Sequence, residues 1–491
     1  MAHISRPLSI LSQEEMEIIH AGALQILETV GMRIDNERAL DYLEAVGVRV
    51  DRPTMIATFP REVVQRFVAK MAADYADPDR VPGRMAVRYS QILFSTRPIS
   101  VHADFTVNTG GFCCFIYDLD GNRRLASLDD VRRSIRLADV MPHIDFIGLP
   151  VAAQEIPSRL RPVVMAAELV KNTRKLGGIE TFSREDVHDI IRIAEVVCGS
   201  RDELRKRPCL VGYAEARSPL CLDRNMADIF MDYIEAGLPQ SLDTMPNAGA
   251  TAPATCAGTL ALGIAETLGG LALGYAVDEN AVISIDICPS MCDMQSCIFS
   301  YGNPGRLRVL AASVQMINEF YRRPGGCHGG KTDACSPGVQ AGFEKALSML
   351  VPVLFGAVGI GTVGHLENAV TFSPQQLVID NEFAGAIRQF LEGFEVSEET
   401  LALDVIREVG IEGAYLAHPH TAENFRKEFF LSDLFECLPW DGYQRLTAKG
   451  MEARALDKAR NLWIQQPEPI LEPYQIEEID AIVQAAYRER S

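Results

Sequence analysis

From residue 112 onward the chain alternates between two spacings of apolar positions. A short unbroken run of apolar or β-branched residues is followed by a stretch in which apolar residues recur every three or four positions, and the pair repeats. The first spacing is that of a strand buried on both faces and the second that of an amphipathic helix, which together predict βα units on a parallel sheet covered by helices. Eight runs fit: residues 112–117, 146–151, 175–181, 209–215, 240–245, 282–287, 325–330 and 357–363. The seventh is mostly glycine and is placed by the rhythm, not by propensity. Helix start signals lie between the runs at Ser127 with Asp130, at Ser158, at Ser183 with Asp186 and at Asp223. Eight repeats favour closure into an α/β (β/α)8 TIM barrel over an open doubly wound sheet.

Ahead of this rhythm, Ser12 and Glu15 form a capping box that Leu11 and Met16 can staple. Ile19, Ala23, Ile26, Leu27 and Val30 then make one helical face ending at Gly31. Helical stretches at 37–46 and 61–71 follow, and a charged, proline-bearing segment at 74–84 reads as a surface connection. Behind the eighth run come helical patterns at 374–391, 397–409, 421–430 and 477–488, with Trp440, Asp441 and Tyr443 between them. The expected organisation is a helical N-terminal extension (1–100), a TIM-barrel catalytic domain (101–395) and a C-terminal helical cap (396–491). One run, 255–277, has the length of a membrane span, but Glu266 at its middle and its many small residues predict a buried helix.

Composition narrows the class. With 491 residues, 47% hydrophobic and 23% charged, the chain can bury a large core and has the proportions of an ordinary enzyme. Its net charge of −19 disfavours nucleic acid and anionic membrane surfaces. Twelve scattered cysteines behind a start with no apolar leader predict reduced thiols in a cytoplasmic protein.

Chemistry concentrates at Arg323-Pro324-Gly325-Gly326-Cys327-His328-Gly329-Gly330-Lys331-Thr332-Asp333-Ala334-Cys335, read as part of an active-site floor. Gly325, Gly330, Lys331 and Thr332 match the spacing of a phosphate-binding loop, yet that motif must open directly into a helix, and Pro337 delays the next one. In a barrel, reactive groups sit at the carboxyl ends of the strands. That rule selects Asp118, Gln154, Glu155, Glu180, Tyr213, Glu215, Asp243, Asp286, His328, Lys331, Asp333, His365 and Glu367. Carboxylates beside Tyr213, Tyr301 and Phe372 suit a cationic ligand, since each well-placed ring face contributes roughly 0.5–2 kcal/mol. His328 and Lys331 could hold a carboxylate. Taken singly, such acids more often pair with arginines or cap helices. Zinc is the competing use of Cys327, His328 and Cys335, or of Cys288, Cys292 and Cys297, but these spacings reproduce no recurrent zinc pattern, and no metal is expected.

Several segments resemble one family: Ser218-Pro219-Leu220, Gly237-Leu238-Pro239, Pro246-Asn247-Ala248-Gly249-Ala250-Thr251-Ala252-Pro253-Ala254-Thr255-Cys256-Ala257-Gly258, Thr332-Asp333-Ala334 with Gln340-Ala341-Gly342-Phe343-Glu344, and Phe372-Ser373-Pro374 with Asp380-Asn381-Glu382. In combination they resemble the trimethylamine methyltransferase (MttB-like) superfamily, from the N-terminal helix to Tyr443. The resemblance implies a TIM barrel that moves a methyl group from a methylated amine to the Co(I) of a separate corrinoid protein, without a metal of its own. Founding members carry pyrrolysine in the loop corresponding to 333–340, where this chain has standard residues such as Ser336, Pro337 and Gly338. That departure puts trimethylamine in doubt and points to a quaternary amine, with glycine betaine first and proline betaine, carnitine or γ-butyrobetaine as alternatives. The expected substrate-binding set is Tyr213, Glu215, Asp286, Tyr301, His328, Lys331, Asp333, His365 and Phe372. Gly325, Gly326, Gly329, Gly330 and Gln340 are expected to face the corrinoid, and no acid–base residue is required. The partners expected are the amine, a cognate corrinoid protein and further copies of the chain. A zinc-dependent methyltransferase, a nucleotide-hydrolysing enzyme and a non-enzymatic betaine-binding or corrinoid-docking protein remain as competitors.

Overall fold

A computed structural model describes residues 4, 6–77, 84–86, 91–93, 99–446, 449–465 and 468–490; much of the connection expected at 74–84 lies outside them. At the centre are eight short strands: β1 Thr106–Val107, β2 Phe146–Gly148, β3 Leu176–Ile179, β4 Leu210–Gly212 continued by Ala214–Ala216, β5 Gln240–Thr244, β6 Ile283–Ser284, β7 Gly326–Cys327 and β8 Gly359–Ile360. Parallel ladders join β7 to β8, β8 to β1, β2 to β3, β3 to β4, β4 to β5 and β5 to β6. A parallel bridge from Asn108 to Phe146 joins β1 to β2. Between β6 and β7 no ladder is recorded among the described residues. There the side chain of Arg323 donates to Ser284 Oγ (2.6 Å) and Ile283 O (3.4 Å). Its guanidinium also stacks 3.6 Å from the ring centroid of Tyr75. The glycine-rich β7 does form, because its backbone pairs with β8 whatever its side chains.

One strand was misplaced by the pattern. The apolar run 112–117 supplies Phe115–Tyr117, which belongs to a rim sheet with Arg123–Leu125 and Thr371–Phe372. The first central position is taken by Thr106–Val107. Local apolar density favoured the wrong run because β1 is only two residues long and begins with threonine.

The helix Cys256–Val277 is apolar on all sides, and its most apolar window is 83% buried within the protein. A helix of this kind must be covered all round. Strands β5 and β6 cover one side, where a Cβ on Gly270 would lie 2.6 Å from Leu242 and one on Gly274 2.7 Å from Ile283. The N-terminal helices Gln13–Thr29, Glu37–Ala45 and Arg61–Ala76 also pack on it, and a Cβ on Gly269 would meet Met32 at 2.2 Å. Glu266 is stabilised inside this helix by bonds from Ser218 Oγ (2.7 Å) and Leu220 N (2.8 Å). The capping box of Ser12 and Glu15 forms as its spacing predicts.

Met451–Trp463, which the pattern reading passed over, packs on Pro374–Glu392 and Leu128–Val140, while Pro473–Arg490 packs on Arg161–Asn172 and Arg184–Cys198. They form an outer layer on the helices that pack around the central strands.

The loops after β7 and β8 are tied by a fully buried ion pair. Lys345 Nζ donates to Asp380 Oδ2 (2.8 Å) and to Gly330 O (2.7 Å), and the same carboxylate oxygen accepts from Gly364 N (2.6 Å). Breaking such a pair leaves a bare charge in the core. Asp380→Ala is expected to lower stability by about 3–5 kcal/mol, read from the urea midpoint. Lys345→Met combined with Asp380→Leu is expected to recover most of that loss.

Candidate active site

The inner face of the sheet is thinly furnished. Gly325, Gly326, Gly359 and Gly361 stand where the inner face of a sheet ordinarily carries side chains, and they border a cavity of about 420 Å³. Strand alternation decides what else faces it. In the segment that begins with β6, Ile283 and Ile287 press outward on Gly274 and Gly263, while Ser284 and Asp286 line the cavity. Tyr213 and Glu215 from the β4 segment, Asp243 from β5 and Glu180 after β3 complete the lining of ionisable groups, with His328 and Lys331 after β7.

Four carboxylates therefore share one buried space. Oδ1 of Asp243 and Oδ1 of Asp286 make no hydrogen bond. Burial and the neighbouring Glu215 push Glu180 up to about 8. Burial and Asp243 push Asp286 up to about 7, against the pull of Arg323 and His328. Glu215 is raised by burial and by Asp243. Desolvation and like charge act in the same direction at all three.

Positive charge gathers on one side. His328 Nε2 lies 3.6 Å from Asp243 Oδ2, and Lys331 Nζ lies 3.6 Å from Cys288 Sγ and 3.9 Å from the ring centroid of Tyr301. Burial alone would raise the Cys288 thiol, but His328 and Lys331 outweigh it and pull the sulfur below the usual thiol range. In return Cys288 and Asp243 keep His328 protonated against its burial. Behind this group the buried Arg306 donates to Pro289 O (2.6 Å) and to His328 O (2.6 Å), fixing both backbones.

Tyr213, Glu215, Asp286, His328 and Lys331 thus meet around the cavity, with Glu180 and Asp243. The other expected contacts sit elsewhere. Tyr301 stands behind Lys331. Asp333 accepts from Tyr301 N (2.7 Å), Gly302 N (2.9 Å) and Ser300 Oγ, and so pins the rim. His365 and Phe372 pair across a rim hairpin with ring centroids 6.2 Å apart, outside the lining. Burial and nearby Lys345 and Lys331 keep His365 neutral.

Nor do the expected corrinoid-facing glycines lie on an outer rim. Gly325 and Gly326 are wall of the inner cavity. Gly329 is buried against Ser348 O and Gly330 against Gly361 O, because this stretch is a packed strand end and not an open loop. Gln340 is exposed and donates to Glu344 (2.8 Å). Asp118, Glu155 and Glu367 serve local structure through Asn122 N (2.8 Å), Leu128 N (2.7 Å) and Arg123 Nε (2.9 Å), and Gln154 donates to Ala152 O (2.8 Å).

The helix after Thr332 starts only at Val339, so the phosphate-loop geometry is missing. Among the described residues, the one group with three ligand atoms within 4.8 Å of one another is Asp35, Cys221 and Asp223. Arg217 already donates to Cys221 Sγ (3.0 Å) and Asp223 (2.9 Å) there, and Arg33 donates to Asp35 (2.7 Å). Ser336, Pro337 and Gly338 do not line the cavity. Pattern reading missed Asn108, Gly110, Met245 and Thr362, all in the lining, though it did include Arg323 in the active-site floor. Asn108 Oδ1 accepts from Gly110 N (2.9 Å) and Gly148 N (3.1 Å). The Asn-Thr-Gly-Gly run after β1 was the available signal, lost when the first strand was set too late.

Comparison with known proteins identifies the family. The profile "Trimethylamine methyltransferase (MTTB)" matches residues 1–490. A glycine betaine methyltransferase of Desulfitobacterium hafniense (strain Y51) is 28% identical over 493 residues, covering 100% of this chain and 98% of that one. Trimethylamine methyltransferase MttB of Desulfitobacterium hafniense (strain DSM 10664 / DCB-2) is 28% identical over 466 residues, covering 95% and 91%. Among solved structures, the monomethylamine methyltransferase MtmB of Methanosarcina barkeri shares the fold, with TM-score 0.50 and 11% identity over 92% of this chain and 93% of that one. The chain is a methyltransferase and belongs to the trimethylamine methyltransferase (MTTB) family.

Proposed function

We propose that the chain takes a methyl group from a quaternary amine, glycine betaine first, and passes it to the Co(I) of a corrinoid held by a partner protein, leaving dimethylglycine. The observation that carries this reading is the ring of Glu180, Glu215, Asp243 and Asp286 around a buried cavity, with His328 and Lys331 on one side of it. The carboxylates and Tyr213 would hold the trimethylammonium head, and His328 and Lys331 would hold the carboxylate end. Likeness to the glycine betaine methyltransferase along the whole chain supports the choice.

The chemistry makes few demands on side chains. When the methyl carbon is displaced, both electrons of its C–N bond stay on nitrogen, and the leaving group is a neutral tertiary amine that needs no proton. The corrinoid supplies the nucleophile. What the chain's residues supply is orientation of the head group and exclusion of water, and alignment of this kind is worth about 7–11 kcal/mol. Approach of the partner would fall on the rim above β6 and β7, where Met294, Ile298 and Phe299 are exposed, as are Val339 and Phe343. We take the eight strands as a closed barrel spanning 101–395, flanked by the segments 1–100 and 396–491. The cavity is roomier than glycine betaine requires, which favours carnitine or γ-butyrobetaine as the second reading.

Incubating the chain with cob(I)alamin and each candidate amine is expected to yield methylcobalamin and dimethylglycine with glycine betaine, and nothing with trimethylamine. Silence with every quaternary amine would remove the proposal. Glu215→Gln is expected to raise the Kd for glycine betaine at least tenfold, about 1.4 kcal/mol, by calorimetry. Because a bound cation favours ionised carboxylates, binding should release protons where Asp286 and Glu180 are still protonated. Affinity should then rise with pH through about 7 to about 8 and level off above. A flat profile from pH 6 to 9 would show that these acids do not face the head group.

A further inference from the structure

The cavity is furnished in two tiers. The ladder of β5 with β6 sets Ser241 level with Ser284, and that of β4 with β5 sets Glu215 level with Asp243. Side chains two residues apart on a strand face the same way, about 7 Å from one another. Asp243 and Asp286 therefore stand one tier above Ser241 and Ser284, toward the carboxyl ends of the strands, and all four line the cavity. The lower tier is closed by Arg323, just ahead of β7, which lines the same space and is only 3% exposed.

The bonds Arg323 makes do not account for its charge. Nη2 donates to Ser284 Oγ (2.6 Å), Nη1 to Pro324 O (2.6 Å) and Nε to Ile283 O (3.4 Å), all neutral oxygens, while the ring of Tyr75 covers one face of the guanidinium. A guanidinium carries five N–H groups, so two are left over. Holding β6 beside β7 takes donors, not charge, and burying a cation without a bonded counter-ion is costly. Asp286 feels that charge from the tier above, yet its Oδ1 has no partner, and among the described residues no hydrogen bond or ion pair joins the two side chains. The lower tier thus holds a positive group whose planar fork matches a carboxylate.

Methyl transfer decides which way the rest of a quaternary amine points. The nucleophile comes in line with the breaking C–N bond, from beyond the carboxyl ends of the strands, where the reactive face of such a fold lies. The methyl that leaves therefore faces outward, and the tail runs sideways or inward. In glycine betaine the carboxyl carbon is two bonds from nitrogen, so the carboxylate stays beside the head group, on the level of His328 and Lys331. With three carbons between nitrogen and carboxyl, an extended tail spans most of one tier. We infer that Arg323, with the hydroxyls of Ser241 and Ser284, forms a second carboxylate subsite that takes betaines of this longer spacer, their head group in the upper tier and their carboxylate in the lower. This subsite rests on the quaternary-amine reading above and adds to it a discrimination by tail length.

Calorimetry of the full chain with γ-butyrobetaine and with its carboxamide, which keeps the head group and removes the tail charge, is expected to show at least a tenfold preference for the acid. Arg323→Met should shrink that preference below threefold, while the preference for glycine betaine over its own carboxamide persists in the same variant. A wild-type chain that binds the long acid and its amide equally would overturn the subsite, as would a variant that keeps the tenfold preference. Loss of both preferences together would mark Arg323 as a clamp alone and overturn it too. If Arg323→Met does not fold, Ser241→Leu decides, since it fills the lower tier and touches none of the bonds of Arg323. It should raise the Kd of γ-butyrobetaine relative to that of glycine betaine at least tenfold, and an unchanged ratio would overturn the subsite. Binding of glycine betaine without these effects removes the subsite and leaves the amine reading standing, whereas no binding by any quaternary amine removes both.

Discussion

Four carboxylates enclosed in one cavity are the constraint around which the rest of the molecule is arranged. Desolvating a single carboxylate is costly, and like charges at close range add to the cost. The protein relieves the strain in two ways: Glu180 and Asp286 move toward neutrality, and His328, Lys331 and Arg323 bring positive charge against the lining. Oxygens of Asp243 and Asp286 still lack any hydrogen-bond partner. Burying unsatisfied acceptors lowers stability, so a chain that keeps them gains something when a ligand arrives. A permanent cation meets that requirement without needing to donate or accept a proton.

The scaffold's task is to hold the walls apart and the charged groups still. Glycines at 325, 326, 359 and 361 keep the interior open. Arg306 fixes the backbones at Pro289 and His328, Asp333 pins Tyr301 and Gly302, and Lys345 with Asp380 ties the loops after β7 and β8. Arg306, Lys345 and Asp380 are buried and Asp333 half-buried, each with hydrogen-bond partners, the arrangement that gives a loop one geometry instead of several. Electrostatic preorganisation of this kind suits a reaction in which the protein contributes orientation and field and supplies no proton.

Much of this architecture was legible in the residues. Continuous apolar runs placed six of the eight central strands, and the repeating rhythm placed the glycine strand β7, which propensity alone would have rejected. Alternation along the strand segments brought Tyr213, Glu215 and Asp286 to the cavity. Other features lay beyond local patterning. Thr106–Val107 is too short to compete with the stronger run at 112–117, and the lining residue Asn108 was lost with it. Asp333 and His365 carry chemistry-bearing side chains next to strand ends, yet backbone donors claim the first and a rim hairpin buries the second. The lowered range of the Cys288 thiol depends on His328 and Lys331, contributed by a different strand, and no spacing along the chain announces that meeting.

The central claim is that this cavity recognises positive charge, not merely the shape of a trimethylated head. Glycine betaine and its carbon isostere 3,3-dimethylbutyrate share size and carboxylate and differ in the charge at the quaternary centre. Calorimetric Kd values for the two, measured side by side near pH 8.5 where Glu180 and Asp286 are largely ionised, test the claim most directly. The account predicts that glycine betaine binds at least tenfold tighter, about 1.4 kcal/mol or more. Equal affinities, or a preference for the uncharged head, would contradict it.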